Sequence, residues 1–426
     1  MKDYARILQE ELVPAMGCTE PIAIALCAAK ARAILGQDPE RMEVYCSGNI
    51  IKNARSVTVP GTKGMCGIEA AAAAGCFGGD AELLLEVLSP LTDEALKQAK
   101  QFVADCRVKI LRAKNVDSLY IKTCLFAGNQ VAEAVIEHEH THFVELALNG
   151  EHLLQVTREA ADADEEINED LDVAEIIRFA EGLDCDTQPV ICDLIDRQIK
   201  LNLAIAQEGL DNSYGAMVGR TILDCAPDAL RERIRAYAAA GSDARMAGCA
   251  MPVVINSGSG NQGITTSLPL IIYAQEKGID QETLRRGLVL SNLLAFVIKR
   301  LIGRLSAFCG VVSAAAAAGA GLAWLEGLNE QQITQVLSIT LLTAGGIFCD
   351  GAKASCASKI AVSLDSALLA LDMVKKGRSL PSRQGLDAGD INATIRDVAR
   401  IAREGMQETD NMILETMLAT CPHSGN

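Results

Sequence analysis

From Asp3 to residue 36 apolar side chains recur at three- and four-residue steps, opening with ARILQEELVPAM, and this period predicts helix. MEVYCSGNI (42–50) and ARSVTVPG (54–61) alternate and carry β-branched residues, so they read as strands, with Pro60-Gly61 as a turn. IEAAAAAGCFGG and ELLLEVLSPLTDEALKQAKQFVAD return to the helical period. RVKILRAKN, SLYIKTCLFAG, QVAEAVIEHEHTHFVELALNG and HLLQVTRE then predict at least four strands with Asn-Gly-type turns, a small antiparallel sheet. The acidic run REAADADEEINEDLD (158–172) reads as a solvated connector. It divides the chain into a mixed α/β region, 1–160, and a helical region, 161–426. Beyond it almost every segment is helical in pattern, interrupted by two glycine-rich loops, NSGSGNQG (256–263) and AGGIFCDGAKAS (344–355). The fold class expected is α+β, predominantly α: a helical core domain that carries these loops, and a smaller N-terminal region with an antiparallel sheet.

At 426 residues, 49% of them hydrophobic, the chain is long enough to bury two cores. Aromatic residues are only 4%, which favours close helix-on-helix packing over base-stacking surfaces. A net charge of −16 argues against nucleic acid or an anionic membrane as partner, so an anionic substrate needs local backbone N–H groups or a few cations. LSAFCGVVSAAAAAGAGLAWLEG, from Leu305, is long enough to cross a bilayer. It is built of Ala, Gly and Ser and flanked by Arg300, Arg304 and Glu326, so it reads as a buried helix of a globular core. The chain opens without a signal-peptide layout, and a cytoplasmic location is expected. Fifteen cysteines in that compartment are expected to be mostly reduced, and clustered ones point to metal or catalysis. The alanine-rich helical surface is compatible with a homodimer.

Several groups of residues can carry chemistry. Cys349 and Cys356 stand seven apart in FCDGAKASC, about 10 Å along a straight helix and too far to share one metal centre. Asp350-Gly351 breaks that helix and Ser355 can cap the next one, so the loop can curl and bring the sulfurs together. Cys309, in RLSAFCG, lies 40 residues upstream, and the intervening NEQQITQVLSITLLTAGG reads as one helix returning antiparallel. Three thiolates without a CxxC pair suit a [4Fe–4S] cluster with one open iron better than a structural zinc, while three plain core cysteines are the other reading. Cys18, in GCTEP, stands at a helix junction where it is either a base or nucleophile of lowered pKa or a buried core residue. SDARM and NSGSGNQGI place Arg245 and the donors around Ser257, Ser259, Asn261 and Gln262 where they can hold a small carboxylate, or form a simple interhelix loop. His138, His140 and His142 share one face if EHEHTH is a strand, either as a metal site or as an exposed polar face. Lys353 and Lys359 lack the phosphate-binding glycines a pyridoxal lysine needs.

Taken together these residues resemble the bacterial and archaeal L-cysteine desulfidase family, related through its helical half to the α chain of iron–sulfur L-serine dehydratases. The resemblance runs through nearly the whole chain: GCTEP at 17–21, VTVPGT at 57–62, SDARM at 242–246, NSGSGNQGI at 256–264, RLSAFC at 304–309, FCDGAKASC at 348–356 and MQETD at 406–410. It implies a [4Fe–4S] cluster held by Cys309, Cys349 and Cys356, with Cys18 as proton acceptor. The implied reaction is a β-elimination on a small amino acid, L-cysteine to hydrogen sulfide, ammonia and pyruvate. The alternatives are serine dehydration by the same cluster and a non-catalytic iron–sulfur or small-molecule binding protein.

Overall fold

The computed structural model describes residues 3–156, 172–303 and 305–419. In the N-terminal part the elements are α1 (Tyr4–Glu11), β1 (Pro14–Met16), α2 (Thr19–Leu35), β2 (Arg41–Cys46), α3 (Gly48–Ala54), α4 (Gly67–Gly78) and α5 (Asp93–Ala104). Strands β3 (Val108–Arg112), β4 (Tyr120–Ala127), β5 (Gln130–Glu137), β6 (Phe143–Leu148) and β7 (Glu151–Gln155) follow. The second part contains α6 (Val173–Glu181), α7 (Pro189–Asp211), α8 (Val218–Cys225), α9 (Leu230–Met246), β8 (Pro252–Val254), α10 (Gly260–Lys277) and α11 (Gln281–Ile302). It ends with α12 (Gly310–Leu325), α13 (Glu330–Ala344), α14 (Ser355–Lys375), α15 (Ile391–Arg400) and α16 (Gln407–Ala419). The fold is α+β and mostly helical. Most of the acidic run and the boundary drawn at 160/161 lie outside the described residues.

Strands pair in the order β3-β2-β4-β5-β6-β7, antiparallel except that β2 and β3 run parallel. The sheet is therefore mixed, not wholly antiparallel: α3, α4 and α5 intervene between β2 and β3, and a helical crossover returns the chain in the same direction. Helix α2 lies across β4 and β5 on one side and against α4 on the other, which explains why nearly all of it is buried. Where α2 meets α4, a Cβ on Gly75 would come within 2.1 Å of the Ala25 carbonyl oxygen. The alanine run of α4 exists to let two backbones approach this closely.

The helix expected over 3–36 is interrupted. Pro14-Ala15-Met16 is extended and pairs with Met16↔Pro252, Ala15↔Val253 and Pro14↔Val254, tying the N-terminus to the helical half. MEVYCSGNI is strand only as far as Cys46, because Ser47 caps a helix over 48–54 by accepting from the Ile50 N–H, and ARSVTVPG forms only an isolated bridge, Thr58↔Cys66. The apolar run from Leu305 is α12, buried from Val311 to Ala323 and packed by α10, α11, α13 and α14. Among the described residues no helix is long and apolar enough to cross a membrane. Core side chains from both halves form one contiguous cluster. One cysteine pair departs from the reduced state expected: Cys185 and Cys192 form a disulfide, with Cα atoms 5.8 Å apart.

Gly75→Ala should cost about 3 kcal/mol, because the clash is with backbone and the two helices must part. Gly36→Ala, at a left-handed helix end with open space around it, should cost about 1 kcal/mol. Denaturation midpoints should follow that order; equal losses would contradict the packing described.

Candidate functional site

The segment before α12 and the segment after α13 lie side by side. The Cys309 N–H donates to the Ile347 carbonyl at 3.1 Å and the Cys349 N–H to the Ala307 carbonyl at 2.6 Å, making an antiparallel bridge between Phe308 and Phe348. Cys309 is thereby held at the N-cap of α12, opposite Cys349. The chain next passes Gly351 (φ +90), where a Cβ would meet the Lys52 carbonyl oxygen at 2.3 Å; only glycine allows this turn against α3. Helix α14 starts at Ser355, with Ala354 rather than Ser355 at its N-cap and no side-chain cap. Cys356 thus sits in its first turn, with its sulfur 3.8 Å from the Gly351 carbonyl oxygen.

The three sulfurs share their environment. The Cys309 thiol hydrogen-bonds to Cys349, which pushes Cys309 well up and brings Cys349 down to about 6. Burial opposes the second shift, while Lys52, the Gly351 N–H and Lys299 assist it. Burial raises Cys356, with Cys349 adding to the effect and Arg245 opposing it. Lys52 is itself held by an ion pair with Asp410 of the MQETD segment. Lys299 is buried, which lowers it to about 8 against the opposing pull of Cys349 and Cys309. Lys353 and Lys359 both ion-pair with Asp350 between the cysteines.

Cys18 lies at the N-cap of α2 and packs with Val57 and Met246 beside Cys356. Gly17 follows strand β1, not a helix end. The Cys18 thiol donates to Glu20 Oε2 at 2.9 Å, and Asn53 Nδ2 donates to Glu20 Oε1 at 2.9 Å. Burial, then the Glu20 charge, raises Cys18 well above an ordinary thiol, with Arg245 opposing. Burial works against ionisation of Glu20, but His140, the Cys18 thiol and Arg245 outweigh it and lower its pKa. The resting pair is a thiol donating to a carboxylate.

Arg245, at the end of α9, faces Cys18, Glu20 and Cys356. Its Nε is buried without a hydrogen-bond partner, as are Asn261 Oδ1 and Gln262 Oε1. Each such buried polar atom costs about 1–3 kcal/mol unless a ligand satisfies it. The Gln262 amide lies against Gly310, next to Cys309, where a Cβ would come within 2.8 Å of it. Ser259 caps α10, accepting from the Gln262 N–H at 3.5 Å, and Ser257 Oγ donates to Asn256 Oδ1 at 2.8 Å.

The structure therefore brings Cys18, Arg245, Asn261, Gln262, Cys309, Cys349 and Cys356 to one place. Ser257 and Gly258 line a cavity of about 1160 Å³, together with His140 and Lys299. His138, His140 and His142 do not share a strand face. They occupy the turn between β5 and β6, where His138 has φ +68, His140 is buried and His142 is exposed. Sequence reasoning missed Glu20, Asn53, Lys52 and Lys299 as site residues. The available signal was a lysine inside an otherwise apolar helical stretch, NIIKNA or FVIKRLI, where an unpaired charge needs a reason.

Among the described residues, no three of His, Cys, Asp and Glu are arranged to hold a single metal ion. The donor set instead suits a larger iron–sulfur group: three soft sulfurs from two segments, with Lys52, Lys299 and Arg245 against them to offset anionic charge.

A family model described as serine dehydratase alpha chain matches residues 82–415, which include Arg245, the 256–264 segment and the three cysteines but not Cys18. A protein of Finegoldia magna described as a UPF0597 protein is 45% identical over 419 residues, covering 98% of this chain and 100% of its own. A UPF0597 protein of Lachnoclostridium phytofermentans is 46% identical over 421 residues, covering 98% and 99%. One of Desulfitobacterium hafniense is 42% identical over 423 residues, covering 98% and 97%. With its model matching most of the chain, the serine dehydratase alpha chain family is the one to which this protein belongs.

Proposed function

We propose that the protein is an iron–sulfur-dependent β-elimination lyase that converts L-cysteine to hydrogen sulfide, ammonia and pyruvate. The observation that carries this reading is the convergence of Cys309, Cys349 and Cys356 beside a Cys18–Glu20 pair. Membership of a family described as serine dehydratase supports the lyase class. It also favours one second reading, elimination of water from L-serine at the same site.

Cys309, Cys349 and Cys356 would hold a [4Fe–4S] cluster. When bound, it supplies an iron position free of protein sulfur, a Lewis acid that polarises the Cβ–S bond and prefers soft thiolate to hydroxyl. The chain's own residues handle the proton. Glu20 takes the Cys18 proton through their hydrogen bond, and the Cys18 thiolate then accepts the Cα proton of the amino acid. Its high proton affinity in this buried setting makes it a strong base once formed. Asn53 holds the carboxylate in place, and Arg245 stabilises the thiolate. Asn261 Oδ1 and Gln262 Oε1 are acceptors suited to the substrate ammonium, and the donors around Ser257 and Ser259 suit its carboxylate. The sulfur departs with the bonding electron pair and its own thiol proton, and the proton held by Glu20 completes hydrogen sulfide and restores the carboxylate. The aminoacrylate left behind takes up water to give pyruvate and ammonia.

Cys349→Ser should bring iron content after anaerobic reconstitution close to background and abolish turnover. Cys18→Ser should retain iron and lower kcat by about 10²- to 10⁴-fold, and Glu20→Gln by about 10²-fold. Loaded wild-type protein given each amino acid separately should release sulfide and pyruvate from L-cysteine. Pyruvate from L-serine with little sulfide from L-cysteine would decide for the second reading.

A further inference from the structure

We infer that Lys299, with the backbone amides of Ser257 and Gly258, seats the α-carboxylate of the amino acid taken by this site, an inference that rests on the function proposed above. Lys299, Ser257 and Gly258 all line the cavity of about 1160 Å³, and Lys299 also interacts electrostatically with Cys349 and Cys309. Lys299 is only 3% exposed, and the groups facing it are the Cys349 and Cys309 thiols, Lys52 and Glu20. Among the described residues, Lys52 has Asp410 as its ion-pair partner, and Arg245 faces Cys18, Glu20 and Cys356. Among the described residues no carboxylate forms an ion pair with Lys299, the cation of the three that lines the cavity. A buried ammonium is costly unless an anion meets it.

The turn beside it supplies the remaining donors. The Asn256 N–H donates to the Ser259 carbonyl at 3.1 Å and the Ser259 N–H to the Asn256 carbonyl at 3.0 Å. Ser257 (φ +50) and Gly258 (φ +74) between them are both left-handed, the geometry of a type I′ turn. Such a turn closes on its outer residues, and the amides of Ser257 and Gly258 donate to no acceptor among the described residues. Two contacts fix its position. Thr19 Oγ1 donates to the Gly258 carbonyl at 2.8 Å, next to Cys18 and Glu20. Asn256 Nδ2 donates to Asn292 Oδ1 at 3.0 Å, and Asn292 precedes Lys299 by two turns of α11. The turn, which leads into α10, is thus tied to α11, the helix that carries Lys299, and through Thr19 to the segment of the thiol proposed to receive the Cα proton. A carboxylate paired with an ammonium and two amides withdraws charge from Cα, so the same seat that orients the substrate favours loss of that proton.

Calorimetric titration of anaerobic, iron-loaded protein with L-alanine and L-alaninamide tests this, because neither ligand carries a group that can be eliminated. Wild type should bind the acid about thirtyfold more tightly than the amide. In Lys299→Gln that ratio should fall to about threefold or less, and Lys299→Arg should restore most of it. A ratio unchanged in Lys299→Gln overturns the inference. Should that variant fail to fold or load iron, acylation mapping of wild type decides: L-lactate should shield Lys299 where L-lactamide does not, and equal shielding overturns it. Failure of the wild type to turn over either L-cysteine or L-serine would remove the lyase reading while leaving the binding ratio measurable.

Discussion

The site depends on two backbone hydrogen bonds, between residues 307–309 on one side and 347–349 on the other. They bring Cys309 and Cys349 face to face without help from any side chain. Helix α12 has to begin where Cys309 caps it, and α13 has to run back along α12, for this short bridge to form. Gly351 then lets the chain turn against Lys52, which places Cys356 in the first turn of α14. Three sulfurs gathered in this way carry negative charge when deprotonated, and burial makes that expensive. Lys52, Lys299 and Arg245 offset it locally, in a chain whose net charge is −16.

Cys18, the thiol proposed as the base, comes from the N-terminal part of the chain. Strand β1 pairs with β8, so the turn that carries Cys18 and Glu20 is fastened to the segment leading into Ser257 and α10. The small sheet supports this indirectly, since α2 lies across β4 and β5 and the β5–β6 turn brings His140 towards Glu20. The N-terminal region and the helical region therefore share one site at their junction. A thiol that donates to a carboxylate is neutral at rest, so in the proposed reaction the base is generated within the pair and needs no general lowering of thiol pKa.

Much of this was legible in the residues themselves. The interruption of FCDGAKASC by Asp350-Gly351, and the helical period between Cys309 and Cys349, do bring those three cysteines together. GCTEP and SDARM also meet, through Arg245 with Cys18 and Glu20. Other features depended on tertiary context. Pro14-Ala15-Met16 fits a helical pattern until β8 offers it a partner. The histidine alternation in EHEHTH mimics a strand, yet the chain reverses there between β5 and β6. Glu20 stands in the first turn of α2, where an acidic residue suits the helix dipole, and only its 2.9 Å approach to the Cys18 sulfur makes it that thiol's partner. Lys299 occupies an apolar face of α11, where periodicity alone cannot say what lies opposite.

The central claim is that Cys309, Cys349 and Cys356 hold an iron–sulfur group with one iron left for the reactant. Mössbauer spectroscopy of protein reconstituted anaerobically with isotopically enriched iron, before and after L-cysteine, tests it most directly. The account predicts about four irons and four sulfides per chain, with about a quarter of the iron signal shifting when the amino acid is added. Iron at background in the wild type, or a full complement of iron whose signal no small amino acid alters, would contradict it.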